Sequence, residues 1–354
     1  MRKVQLANVS QLTEFDDIID VRTPAEFALD HIPNAINAPV LNNEERVRIG
    51  TLYKQASPFE AKREGAALIA RNIAHHLETL FHDRPREWQP LVYCWRGGKR
   101  SGSMAHIFAQ IGWRAAQLDG GYKSFRRHVI DELETLPSLY KFRVVCGATG
   151  SGKSRLLQAL DVQGAQVLDL EKIARHRGSL LGNLPDEAQP AQKMFETQLW
   201  ETLRHFDVQQ PVFVEAESRK IGNLAVPTAL LEQMRQSECI AIDASISARV
   251  QLLTEDYQHF LTNPDLLSRS LKPLLEIQGK KVLDDWHEMA TKSEWSPLVE
   301  DLLSRHYDPA YQRSTDNNYP QLNNAHIVKL RTLDEVTLSA TAQALINTIR
   351  TCNN

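Results

Sequence analysis

The octet Gly147-Ala148-Thr149-Gly150-Ser151-Gly152-Lys153-Ser154 stands directly after the apolar run FRVVC and directly before the helical pattern SRLLQAL. Few folds accommodate that juxtaposition. A G-x-x-x-x-G-K-[ST] loop works where a buried strand delivers the chain into a tight glycine turn and a helix starts at its end. The glycines let backbone N–H groups curl around phosphate oxygens, and the helix N-terminus adds a favourable dipole. Lys153 supplies a cation, and Ser154 can ligate Mg²⁺. A chance match in a chain this long is on the order of one in a hundred, and the flanking strand and helix lower it further. A phosphate-binding α/β segment is the reading that follows.

The chain has 354 residues, enough for two or three domains at roughly 100 to 200 residues each. From residue 142 the pattern runs as strand, glycine turn and helix, then further continuous apolar strands at 165–170, 211–217 and 239–245. Runs apolar throughout fit strands covered on both faces. The last hundred residues carry Leu, Trp and charges at helical spacing and are expected to be mainly helical. Upstream, strand signals at 16–22, at 90–94 and at AAQLD before Gly120 alternate with helical stretches, one of them near Ser101 to Ile111. That alternation predicts a second parallel α/β sheet. The boundary falls at the Pro137 linker, giving domains 1–137 and 138–354.

Apolar residues at 42% and charged residues at 24% are those of an ordinary soluble globular protein. No stretch approaches the roughly 18 apolar residues of a spanning helix, and the N-terminus lacks a signal-peptide apolar core. The expected location is the cytoplasm, with no membrane partner. A net charge of −3 argues against a generally basic nucleic-acid binder, so such a partner would need local patches.

Four cysteines without a C-x-x-C pair are too sparse for a disulfide scaffold or a cysteine zinc site. One of them is distinctive. Cys94-Trp95-Arg96-Gly97-Gly98-Lys99-Arg100-Ser101 places a thiol at the end of an apolar strand, then a Gly-Gly turn with three cations, then a helix. Loop N–H groups would converge above the sulfur. The helix N-terminus with Arg96, Lys99 and Arg100 would lower the thiol pKa and hold an incoming anion. Cys94 is therefore the candidate catalytic nucleophile, whereas Cys146, Cys239 and Cys352 lack such surroundings and read as packed residues.

The acids after the phosphate loop have two readings each. Glu215 ends its strand where such folds place an Mg²⁺-orienting acid, although that acid is usually Asp, and Glu217 points to the same face of an extended chain. Alternatively both are strand-end carboxylates that cap or pair with Arg219. Asp169 and the cluster Arg175-His176-Arg177 either reach a phosphate in the crevice beyond the strand ends or are solvated charges.

Residues 4 to 130 resemble the rhodanese family through Asp20-Val21-Arg22, Ala25-Glu26-Phe27, His31 to Asn37, the Cys94 loop, and Leu118-Asp119-Gly120-Gly121-Tyr122. Phosphatases on a similar loop carry His before the cysteine, and here it is Tyr93. The whole chain resembles the tRNA 2-selenouridine synthase family through CWRGG-x-RS, GATGSGKS, HRGS at 176–179 and EAESRKIG at 215–222. The resemblance implies an N-terminal rhodanese-like α/β domain and a C-terminal P-loop NTPase-like α/β domain with a helical C-terminal part. It further implies a transferase that replaces sulfur by selenium at C2 of the wobble 2-thiouridine of tRNA, using selenophosphate. The same resemblance implies that an S-geranyl intermediate made from geranyl diphosphate precedes selenium.

Family analogy, and not spacing, supplies those substrates. No cofactor is required by the sequence beyond a candidate Mg²⁺ ion, and ATP is left open because Glu215 replaces the usual Asp. One competing reading is an ATP-dependent tRNA thiolation enzyme; another is a nucleotide-binding module with a docking rhodanese domain. For tRNA phosphates the local cations are Lys62-Arg63, Arg126-Arg127, Arg175 to Arg177 and Lys280-Lys281. Trp286, Trp295, Tyr307 and Tyr311 are either base-stacking groups or, as large aromatics more often are, core.

Overall fold

The computed structural model describes residues 4–352. Five strands form the first sheet: β1 (Gln5–Ala7), β2 (Asp17–Asp20), β3 (Ile36–Asn37), β4 (Pro90–Tyr93) and β5 (Ala116–Leu118). They lie in the order β1-β5-β4-β2-β3, every pair parallel. All four residues of β4 are buried, because helices cover both faces of a parallel sheet. Behind β4 the core is aromatic: Trp88 meets Trp113 edge-on at 4.8 Å and lies 5.4 Å from Phe108. The helix Lys99–Ile111 follows β4 and ends at Gly112, whose φ of 111° is a left-handed stop that favours glycine.

The second sheet contains β6 (Phe142–Cys146), β7 (Gln166–Leu168), β8 (Val212–Glu215), β11 (Glu238–Ala244) and β12 (His326–Leu330), ordered β12-β11-β6-β8-β7. A short antiparallel hairpin, β9 (Lys220–Ile221) with β10 (Leu224–Ala225), lies outside it. Pairing in the sheet is again parallel, with Phe142 opposite Val212 and Arg143 opposite Glu238. The strand order reverses at β6, so the crevice opens beyond its carboxyl end, where the phosphate loop begins.

The C-terminal part is mainly helical and has its own core around Leu267, Leu271, Trp286, Ala290, Leu298 and Leu302. One element there departs from the expectation of helix. β12 pairs with β11 over five positions, Ile240 opposite His326 through Ala244 opposite Leu330. It is an edge strand with Leu330 as its one buried residue, so its local signal is weak and pairing with β11 specifies it.

The chain divides into two compact units, Met1–Glu132 with Ala191–Glu201, and Leu133–Pro190 with Thr202–Asn354. Most of the helix Gln192–Arg204 thus groups with the first unit. There Phe125 meets Trp200 edge-on at 5.5 Å, and Arg126 pairs with Glu196. Among the described residues, no helix is long and apolar enough to cross a membrane.

Candidate functional site

In the first unit β4 delivers Cys94 into the loop that precedes the helix Lys99–Ile111. The Gly98 N–H donates to the Cys94 Sγ at 3.3 Å and the Ser101 hydroxyl donates at 3.2 Å. Burial alone would push the thiol up. The Ser101 hydroxyl and the N–H groups of Ser101, Arg96 and Gly98 outweigh it and hold the thiol below the ordinary cysteine range. The stabilising groups are thus loop dipoles and a hydroxyl. Arg96 and Lys99 are exposed, and Arg100 is turned to Glu26 at 2.9 Å, which neutralises much of its charge. Glu26 is available there because it also closes a capping box with Thr23 at the start of the helix Pro24–Leu29.

The loop is pinned from three sides. Tyr122 N–H donates to the Cys94 carbonyl at 2.8 Å and Lys123 N–H to the Trp95 carbonyl at 3.0 Å. Gly121 has a φ of 58°, and a Cβ there would run into the Cys94 carbonyl and the Gly97 nitrogen, so this closing turn accepts only glycine. Gln117 Nε2 donates to the Gly97 carbonyl at 2.5 Å, the Gly98 carbonyl at 3.0 Å and the Ser101 hydroxyl at 2.9 Å. The Ser101 hydroxyl, which accepts from Gln117, has two acceptors in reach of its own proton, the Cys94 sulfur and the Gly98 carbonyl, each at 3.2 Å.

Beneath the loop lies a buried ionic frame. Arg22 pairs with Asp20 at 2.6 Å, both side chains at most 1% exposed, and donates to the Asp30 carbonyl at 2.7 Å. Its guanidinium sits 4.0 Å over the Tyr122 ring, whose hydroxyl donates to Asp30 Oδ2 at 2.7 Å. The Asp20-Val21-Arg22 triplet therefore holds up Tyr122, and through Tyr122 the Cys94 carbonyl. Trp95, 36% exposed, lies 5.2 Å from the same ring.

In the second unit, Gly150 and Gly152 adopt φ values of 77° and 86°, which the tight turn after β6 requires. Lys153 Nζ donates to the Gly147 carbonyl at 2.8 Å. Two partners brace the loop: Gly147 N–H donates to the Tyr311 hydroxyl at 2.6 Å, and Arg249, ion-paired to Asp308, donates to the Thr149 carbonyl at 2.9 Å. The loop opens onto a cavity of about 610 Å³.

Lys153, Ser154, Asp169, Arg177 and Glu217 all line it. Asp169 also caps the helix Leu170–Ala174 by accepting from Lys172 N–H at 2.8 Å. Arg177 donates to the Asp256 carbonyl at 2.6 Å and stands 4.7 Å over the Tyr257 ring. Arg175 and Arg219 are exposed and not part of the lining, Arg175 lying 3.8 Å from Glu187.

The acid nearest the loop is one that sequence reasoning missed. Glu171 accepts the Ser154 hydroxyl proton at 2.7 Å, while its own N–H donates to Glu215 Oε1, also at 2.7 Å. Glu215 is fully buried behind the lining, and its Oε2 has no hydrogen-bond partner among the described residues. Burial first, and then Asp169, Glu171 and Glu217, hold the Glu215 carboxyl well above its usual range. Burial, followed by Glu171, pushes Glu217 up to about 8. The position of Glu171 just past the second strand, two residues after Asp169, was the available signal.

No group of three His, Cys, Asp or Glu side chains among the described residues is disposed to hold a metal ion alone. The Ser154 hydroxyl and the Glu171 carboxylate nevertheless form a donor set suited to Mg²⁺, which keeps several waters and shares its remaining positions with phosphates.

Arg126 pairs with Glu196 and the exposed Arg63 with Glu60, whereas Lys62, Arg127, Lys280 and Lys281 are exposed. Trp286 is core, its Nε1 donating to Asp301 at 2.8 Å, and Trp295 packs on the same cluster, as does Tyr307. Tyr311 and Tyr307 line the cavity. Cys146 and Cys239 are buried; the side chain of Cys352 lies outside the described residues.

Comparison with known proteins agrees with both halves. The family model of the rhodanese-like domain matches residues 5–128, and that of the tRNA 2-selenouridine synthase AAA domain matches residues 140–264. A tRNA 2-selenouridine synthase of Nitrosomonas europaea is 36% identical over 255 residues, covering 70% of this chain and 64% of that protein. The match to the Nitrosomonas eutropha protein covers 62% of its length, so the chain spans somewhat under two thirds of these relatives. The protein of the same name from Aeromonas salmonicida is 31% identical over 333 residues, with 84% of this chain and 87% of that one covered. With two loops of unrelated chemistry in this order and a relative matched over most of both lengths, the chain belongs to the tRNA 2-selenouridine synthase family.

Proposed function

We propose that the protein is a transferase acting on tRNA that exchanges sulfur for selenium at C2 of the wobble 2-thiouridine, with each unit serving one half-reaction. One observation carries this reading: a single chain presents a thiol focused by N–H donors and, separately, a phosphate loop beside buried carboxylates.

In the first half-reaction, the thiocarbonyl sulfur attacks C1 of geranyl diphosphate. A C–S bond forms, the C–O bond to diphosphate breaks, and the uridine loses its N3 proton. The loop 147–154 binds the departing diphosphate, with Lys153 and the helix N-terminus taking up its charge. Ser154 and Glu171 would hold Mg²⁺, which when bound neutralises phosphate charge. Alkylation matters because a thiocarbonyl sulfur leaves poorly, whereas a thioether-like group departs as a thiol and makes C2 more electrophilic.

In the second half-reaction, selenium from selenophosphate attacks C2. Geranyl thiol leaves, and water removes the phosphoryl group as phosphate, with no change of oxidation state. Cys94 serves this half. Its thiolate is maintained by Ser101 and the loop N–H groups, and the same dipoles accommodate negative charge arriving with selenophosphate.

The test is mass spectrometry of nucleosides after incubation of 2-thiouridine tRNA with each variant. Cys94→Ser is expected to accumulate S-geranyl tRNA, and Lys153→Ala to stop at 2-thiouridine yet convert pre-geranylated tRNA. Selenouridine made by Cys94→Ser at the wild-type rate would overturn the division. In cells, loss of 2-thiouridine itself on deletion would instead identify a thiolation enzyme.

A further inference from the structure

Beside the phosphate-loop cavity lies a second, smaller one of about 60 Å³ in the helical part of the same unit. Its walls are mainly hydrocarbon: Leu181, Phe260, Leu267, Leu298 and Leu302 belong to the buried helical core and face this void. The two cavities are continuous in their lining, since Thr149, Ser179, Leu253, Tyr257 and Tyr307 border both. Leu253 makes the junction. It lies so close to Gly150 that a Cβ there would stand 2.8 Å from its side chain, so apolar surface begins where the phosphate loop ends.

An apolar pocket of this kind accepts hydrocarbon, and its volume is several times the roughly 10 to 15 Å³ that one water needs. Its volume therefore corresponds to a short chain and not to a long lipid tail. A purine base would be poorly served here. Its ring nitrogens and amino group need hydrogen-bond partners, and the lining offers only a few hydroxyls on a leucine-rich wall.

We infer that this void receives the hydrocarbon chain of a short alkyl or prenyl diphosphate whose head lies on the loop 147–154. The chain would enter between Leu253, Tyr257 and Tyr307, and its apolar contacts would select the ligand by chain length. The inference rests on the reading above that the loop takes a diphosphate ester, and it specifies where the remainder of that ligand goes.

Calorimetric titration of the full chain with inorganic pyrophosphate, dimethylallyl diphosphate, geranyl diphosphate and ATP tests it. In the unaltered protein, affinity is expected to rise from pyrophosphate to geranyl diphosphate by about tenfold or more, as burial of several carbons requires. Val299→Trp and Thr254→Phe, which fill the void from two sides, should reduce geranyl diphosphate to the pyrophosphate level and leave pyrophosphate unchanged. Unchanged pyrophosphate binding also reports that the unit is folded. The inference is overturned if affinity does not rise with chain length in the unaltered protein. It is equally overturned if both filled variants bind geranyl diphosphate normally, or if they weaken ATP as much as geranyl diphosphate. Pyrophosphate binding that is absent, or indifferent to Lys153→Ala, would locate the failure in the phosphate-loop reading itself.

Discussion

Replacing Ser101 by alanine isolates one of the groups that hold the Cys94 thiol below its ordinary range. The hydroxyl is buried and donates to Sγ at 3.2 Å, and its removal leaves the Gly98 N–H at 3.3 Å in place. Gln117 keeps its bonds to the Gly97 and Gly98 carbonyls, so the loop is not released. A hydrogen bond to a charged acceptor contributes about 1.5 to 3 kcal/mol, and 1.36 kcal/mol corresponds to one unit of pKa. The thiolate of Ser101→Ala should therefore form about 1 to 2 pH units higher than that of the unaltered protein. The measurement is a pH series of iodoacetamide labelling read by peptide mass spectrometry, with buried Cys239 as internal comparison. In the unaltered protein Cys94 should label at lower pH than an ordinary cysteine. An unshifted midpoint in Ser101→Ala would refute the assignment of the hydroxyl as a principal stabiliser, and Cys94 labelling no faster than Cys239 at pH 6 would refute the thiolate site as a whole.

Three other outcomes are expected. Lys153→Ala should weaken pyrophosphate by about 2 to 5 kcal/mol, the cost of losing one member of a desolvated charge pair, with the thermal transition unchanged; calorimetry reads the first and scanning fluorimetry the second. Asp20→Asn leaves Arg22 buried without its counter-charge and should destabilise the first unit by about 3 to 5 kcal/mol, visible as a lower urea midpoint together with slower Cys94 labelling. For Glu217, a folded pKa of about 8 against an ordinary 4.5 means that the folded state binds the extra proton between those values. Its contribution is fully present below pH 4.5 and is lost as pH rises through 8. Ligand-free Tm should fall across that window, and Glu217→Gln should fall less steeply; parallel profiles would show that Glu217 does not titrate there.

Local pattern alone determined much of this protein. The alternation of apolar strands with helices specified two parallel sheets, because a strand covered on both faces must be apolar along its whole length. The two glycine turns placed Cys94 and Lys153 at strand-to-helix junctions, where backbone N–H groups face outward for lack of an intrahelical partner. Edge strand β12 was not legible, since a half-exposed strand has almost no periodic signal until its partner is known. The same reason separates the site residues that were visible from those that were not. Gln117, Glu171 and Arg249 are ordinary polar residues in sequence, distant from the loops they brace by up to 100 positions. Their roles arise because the fold brings a donor or acceptor within 3 Å of a loop atom. Arg100 is the converse case: its charge was legible as a cation for the Cys94 loop, yet folding places Glu26 against it. A charge is a property of the residue, but whether it is free to act depends on what tertiary structure packs beside it.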